Sequence, residues 1–254
     1  MWSTHDVAAV AAGRLRKRYT DWRRGEHRRE WLVLQALYPK ACDLVPEPLA
    51  ADLDAVPPWI EMTCLPGEPL GGTLTPRQLD ALEEALRRLW SIPVGDLPLR
   101  RFHPGEARSV VGAGLAAAVR PPGIAGRAYD MCVEFLAGPY AQLDGTVIGH
   151  GDAKLANYLW DGESVRLVDF EDAGASEPAY ELGFLAEHLA GRATDWAPLL
   201  ARFAGEVDER RLRDARLTSA AHWLLLLLPG GPAARRNPPG TLESQAQRIL
   251  TQLA

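Results

Sequence analysis

His150, Asp152, Asn157 and Asp169 carry side chains whose types and spacing could move a phosphoryl group. That chemistry needs a carboxylate to orient an attacking hydroxyl and accept its proton, and oxygen ligands that hold Mg²⁺ between the phosphates of a nucleotide. Asp152 suits the first task. Asn157, five residues on, and Asp169, twelve further, suit the second. A hard cation takes oxygen ligands and keeps several waters, so two side chains plus phosphate oxygens suffice. Any one of these residues alone is what a polar turn carries to satisfy its own backbone. Four of them in this order point to chemistry.

The elements that must position them can be read on either side. Thr146-Val147-Ile148 is a short β-branched approach that delivers His150 and Asp152 at the end of a strand. Tyr158-Leu159-Trp160 and Val165-Arg166-Leu167-Val168 flank Asp161-Gly162-Glu163-Ser164, and an Asp-Gly between two such runs predicts a β-hairpin. Asn157 then enters one arm and Asp169 leaves the other, which brings the two oxygen donors together. Upstream, Gly13 to Tyr19 alternates large and charged residues as an exposed strand does, and Trp31 to Leu37 has apolar residues at helical spacing.

The order His150-Gly151-Asp152, Asn157, then Asp169-Phe170-Glu171 follows the H-x-D-x-x-x-x-N and D-F-x pattern of protein-kinase catalytic loops, with Gly in the place of Arg. Together with Pro178-Ala179-Tyr180-Glu181-Leu182-Gly183, where Glu181 replaces the usual Asp, it resembles the aminoglycoside phosphotransferase family. The similarity runs over most of the chain and is sharpest between 148 and 183. It implies an α+β, protein-kinase-like two-lobed fold. Residues 1–65 would form a shortened N-terminal β lobe of strands plus one helix. Residues 66–254 would form a mainly helical C-terminal lobe holding the catalytic loop and the metal-binding hairpin.

The resemblance also implies an activity: transfer of the γ-phosphoryl group of ATP or GTP, with Mg²⁺, to a hydroxyl of a small molecule, antibiotic or metabolite. Asp152 would be the base, and Asn157 and Asp169 would ligate the metal. Lys17, on the exposed strand, would hold phosphates with Glu30 in support. In Pro57 to Gly67, the connection between lobes, the backbone of Thr63 and Leu65 would meet the nucleobase and Met62 would line the back of its pocket. Lys154 is one of three lysines against 25 arginines; it either neutralises the transferring group or is a solvated side chain. His150 is expected to hold the loop by hydrogen bonds. The other reading is a non-catalytic kinase-shaped module that binds a nucleotide or a partner.

One departure lies at the start. Kinase-like small lobes begin with two strands and a flexible loop over the phosphates, yet Met1 to Ala12 contains no glycine. Val7 to Val10 supplies one strand and Gly13 the turn into the lysine strand. Three expectations stay open: a true start upstream of Met1, another way of covering the phosphates, or a degenerate kinase.

The bulk properties suit a cytoplasmic enzyme. The 254 residues can bury a sizeable core. Three cysteines without C-x-x-C spacing indicate neither disulfides nor a zinc site. A net charge of −5 argues against general nucleic-acid binding and would suit cationic acceptors through steering. No signal peptide opens the chain. The apolar run Trp223 to Leu228 is far shorter than the ~20 residues of a membrane span and predicts a core helix. Thr75 to Trp90 and Ala125 to Leu143 are predicted helices, the second running into the catalytic strand, with loops at 92–98, 121–126 and 229–240. Gly112-Ala113-Gly114-Leu115-Ala116-Ala117 matches a dinucleotide-binding pattern but lacks its βαβ frame. His103, His188 and His222 are expected to be ordinary surface or core histidines.

Overall fold

Gly13 turns the chain between β1 (His5–Ala11) and β2 (Arg14–Tyr19), so the predicted hairpin forms with Val7 opposite Lys17. The computed structural model describes residues 5–253. After β2 the chain enters α1 (Glu26–Leu37), then returns through β3 (Pro48–Asp52) and β4 (Trp59–Thr63). The four strands form one antiparallel sheet in the order β1-β2-β4-β3, with Lys17 opposite Ile60. Helix α1 buries Val33, Leu34 and Leu37 in a core shared with Tyr19, Ile60 and Met62. Among the described residues β1 is an edge strand, with Val7 and Val10 exposed.

Beyond the short β5 (Glu68–Pro69), α2 (Pro76–Trp90) starts at a capping box: Thr75 accepts from Gln78 N and the Gln78 side chain reaches back. Leu79, Leu82, Leu86 and Leu89 are all buried on one face, as predicted. Then follow α3 (Pro104–Ala117), α4 (Gly123–Ala137), β6 (Val147–Gly149), β7 (Tyr158–Trp160), β8 (Val165–Leu167) and β9 (Gly174–Ser176). Helices α5 (Pro178–Glu187), α6 (Ala197–Arg202), α7 (Glu209–Leu227) and α8 (Thr241–Leu253) complete the chain. Strand β7 pairs with β5 and β8, and β6 pairs with β9. Helices α3, α4, α7 and α8 enclose a second core around Val111, Leu115, Ala128, Leu224 and Ile249.

Two expectations need correction. Helix α4 stops at Ala137 instead of running into β6, because Gly138 and Pro139 end it. Its first residue is Gly123, so part of 121–126 is helical. The Gly112 to Ala117 run lies within α3, where Gly114 packs against Leu225, in keeping with the missing βαβ frame. The apolar 223–228 run falls at the end of α7, with Leu224 and Leu227 buried. No helix among the described residues is long and apolar enough to cross a membrane.

Candidate active site

Strand β6 ends at Gly149, and His150-Gly151-Asp152 turn away from it along a path that needs glycine twice, for space at 149 and for backbone conformation at 151. A Cβ on Gly149 would lie 2.3 Å from Glu181 Oε1. Gly151 has φ 88°, and a Cβ there would lie 2.2 Å from the Asp172 carbonyl. His150 is buried; its Nε2 lies 2.8 Å from the Val168 carbonyl, and its Nδ1 accepts from Asp152 N at 3.4 Å. With Nδ1 accepting, Nε2 is the donor to the Val168 carbonyl, and the ring ties the loop to the hairpin. Asp152 Oδ1 accepts from Lys154 N (3.1 Å) and Oδ2 from Asn157 Nδ2 (2.9 Å). Asp161 shapes the β7–β8 turn by accepting from Glu163 N and Ser164 N. Val168 N donates to the Asn157 carbonyl at 3.0 Å, which holds the two hairpin ends side by side.

Lys17 meets this hairpin from the small sheet. Its Nζ lies 2.6 Å from Glu30 Oε2 and 3.1 Å from Glu171 Oε2, and it also contacts Asp169 Oδ1. The Tyr19 hydroxyl donates to the same Glu30 oxygen (2.6 Å), and Phe170 N donates to the other (3.2 Å). Lys17 is only 3% exposed. Burial alone would lower its pKa, but Glu30, Asp169 and Glu171 together hold it above the ordinary lysine value. Burial likewise pushes Glu171 up, yet His5 and Lys17 hold it down at about 2. Asp169 has φ 72°, a left-handed conformation that costs a non-glycine residue on the order of 1 kcal/mol or more. Such an outlier, kept in place by Lys17, marks Asp169 as a residue aimed by its surroundings. His5, Asp169 and Glu171 offer ligand atoms within 4.8 Å of one another.

Residues that the sequence reading did not single out complete the loop's support. Arg100 is 2% exposed; its Nη2 donates to the Gly151 carbonyl at 2.6 Å and its Nη1 pairs with Glu181. Glu181 in turn accepts from His150 N (3.0 Å) and Ser176 Oγ (2.6 Å). The carboxylate at 181 thus fastens the catalytic-loop backbone together with a buried guanidinium. Glu181 in place of Asp was the available clue, but nothing around Arg100 distinguishes it among 25 arginines.

Beside Asp152 opens a cavity of about 390 Å³ whose aromatic side includes Phe102, Phe184, His188, His222 and Trp223. His188 and His222 therefore line the candidate site instead of being ordinary histidines. Burial lowers both to about 4, so both rings are neutral at neutral pH. Lys154 is exposed, and Met62 is buried opposite Leu15. Leu65 is half-buried in the lobe connection. The Thr63 N–H is committed to the Glu47 carbonyl at 3.0 Å, because β4 continues to pair there, so any backbone contact of Thr63 with a base would be made through its carbonyl.

Asp172 also faces the cavity. Burial raises it from its ordinary 3.8 to about 6; Arg24 opposes the shift, while Glu171 and Asp152 add to it. The folded protein then holds a proton between about pH 4 and 6 that the unfolded chain has released, so stability falls as pH rises through that window. Asp172→Asn is expected to be more stable than wild type near pH 8, by about 1–3 kcal/mol, with the gap closing near pH 4. Thermal melts of both proteins at the two pH values check this; coincident midpoints at the higher pH would count against a strained carboxylate.

A sheet lobe whose lysine–glutamate pair meets the D-F-x turn of a helical lobe defines the protein-kinase-like class. The sequence matches the model of the phosphotransferase enzyme family over residues 13–220, and the chain belongs to that family. A search of curated proteins finds no significant match. Solved structures show the same fold at low identity. The GDP and kanamycin complex of APH(2")-IIia has a TM-score of 0.66 at 15% identity, covering 99% of this chain and 90% of that one. A choline/ethanolamine kinase family protein from Mesorhizobium loti has a TM-score of 0.63 at 18% identity, with coverages of 98% and 88%. APH(9)-Ia, a spectinomycin phosphotransferase solved with ADP and its antibiotic, has a TM-score of 0.63 at 13% identity, with coverages of 98% and 85%.

Proposed function

We propose that this small-molecule phosphotransferase moves the γ-phosphoryl group of ATP or GTP to a hydroxyl of its acceptor, with residues 1–65 as the nucleotide-side lobe and 66–254 carrying most of the acceptor cavity, to which Arg24 adds from the other side. The observation that carries this reading is the juxtaposition of Asp152, hydrogen-bonded to Asn157, with that cavity. The nucleotide partners in the GDP complex and the ADP complex named above support a nucleotide donor.

Asp152 orients the acceptor hydroxyl and takes its proton, while Lys17, aimed by Glu30 and Tyr19, binds donor phosphates. Lys154, exposed at the loop, approaches the transferring group. Met62, the Thr63 carbonyl and the backbone of Leu65 border the nucleobase. With its Nδ2 engaged by Asp152, Asn157 keeps its amide oxygen for a cation, and Asp169 adds a carboxylate. This all-oxygen donor set fits Mg²⁺. A bound Mg²⁺ would neutralise charge on the phosphates.

Thermal unfolding with and without Mg²⁺ plus ATP or GTP tests the reading. A ligand at a hundred times its Kd stabilises by about 2.7 kcal/mol, a rise of roughly 5–10 °C for a chain of this size. We expect such a rise, dependent on Mg²⁺ and lost in Asp169→Asn. No rise with either nucleotide would remove the donor site.

A further inference from the structure

The cavity beside Asp152 is not acidic overall. Arg24, Arg100 and Arg101 line it together with Glu106, Asp152 and Asp172. Arg100 is already committed to Glu181 and the Gly151 carbonyl, but Arg24 and Arg101 are differently placed. Arg24 is held from behind by Glu26, which accepts from its Nε at 2.7 Å and its backbone N at 3.1 Å. Arg101 Nη2 lies 2.8 Å from Glu106 Oε1, and Glu106 is itself fixed by Phe102 N at 2.6 Å. Two guanidinium groups are therefore pinned at the cavity wall.

Next to them hydrogen-bonding capacity is unfilled. Arg101 Nε and Asp172 Oδ1 are buried without a hydrogen-bond partner. Arg24 Nη1 is 4.0 Å from that Asp172 oxygen, too far for a hydrogen bond. Arg101 N donates to the Asp172 carbonyl at 2.9 Å, so the two opposite charges stand on adjacent backbone. A buried polar group left unsatisfied is destabilising, and a ligand supplying the complementary group would relieve it. The facing wall is uncharged, with Phe102 and His222 ring centres 4.4 Å apart and Trp223 beyond them.

We propose that the acceptor is a zwitterionic alcohol, a compact hydroxylated molecule with one carboxylate and one ammonium. Arg24 and Arg101 hold the carboxylate after small side-chain rotations, Asp172 holds the ammonium, and the aromatic wall takes the carbon skeleton. This rests on the phosphotransferase reading. The acceptor's hydroxyl oxygen bonds to the γ-phosphorus, the bond from that phosphorus to the bridging oxygen breaks, the nucleoside diphosphate leaves, and the hydroxyl proton goes to Asp152. A polycation finds no excess of carboxylates here to receive it.

Nucleoside diphosphate release is measured with phenylserine and homoserine, with the decarboxylated and deaminated analogue of each, and with kanamycin. The better zwitterion is expected to exceed both its analogues by about 10–100-fold in kcat/KM, the value of a charge-assisted hydrogen bond. Arg101→Gln should erase its advantage over the decarboxylated analogue, and Asp172→Asn its advantage over the deaminated one. Both variants should keep the Mg²⁺-nucleotide rise in Tm. Equal or better use of kanamycin or of either analogue overturns the assignment. So does the absence of zwitterion turnover while the wild-type nucleotide rise persists. If the wild type shows no nucleotide rise, the phosphotransferase reading fails first and takes this one with it.

Discussion

Asp152→Ala is expected to lower turnover by roughly 10²–10⁴-fold, the usual worth of a positioned general base. The aspartate sits where the loop leaves β6, fixed by Lys154 N and Asn157 Nδ2, and it faces the acceptor cavity. Its removal takes away the proposed proton acceptor and one hydrogen bond to Asn157, but leaves Lys17, Glu30 and Asp169 in place. Stabilisation by Mg²⁺ and nucleotide should therefore survive, and that separates lost chemistry from lost folding. Steady-state kinetics alongside thermal melts make the comparison. Unchanged turnover on a true acceptor would remove Asp152 from the mechanism.

The second large effect is on stability. Lys17→Met strands Glu30, which is 1% exposed, beside Asp169 and Glu171 with no cation between them. Removing one partner of a buried ion pair costs about 3–5 kcal/mol, because the charge left behind has lost both water and its counter-ion. For a chain of this length that is a fall in Tm of roughly 6–20 °C. Nucleotide affinity should fall as well. A Tm within a degree or two of wild type would show that the carboxylates find other cations, and the claim that Lys17 holds this centre together would fail.

Much of this site could be read in the sequence because its parts are local. His150 to Asn157 lies within one loop, and the Asp161-Gly162 turn sets Asn157 and Asp169 side by side through short-range hydrogen bonds. The α2 start was equally local, a Thr75–Gln78 box. Lys17 and Glu30 needed the family pattern, since a lysine on a strand and a glutamate on a helix do not announce that they meet. What escaped was non-local. Arg100 is 81 residues from Glu181 and 51 from Gly151. His188 and His222 reach one cavity from the end of α5 and from α7. Residue type and spacing record no such convergence; it is created by packing. The α4 error was of another kind, a Gly138-Pro139 stop given less weight than helical composition.

Lys17 serves three carboxylates at once, and one of them, Asp169, is the oxygen donor proposed for the metal. A divalent ion arriving alone would have to share Asp169 with a buried ammonium that Glu30 and Glu171 hold beside it. Nucleotide phosphates would change that balance by offering the ammonium a new set of anions, leaving Asp169 freer to hold the ion. On the proposed reading the two ligands would be mutually dependent in affinity, each binding better in the presence of the other. A single shared counter-ion would thus couple metal to nucleotide.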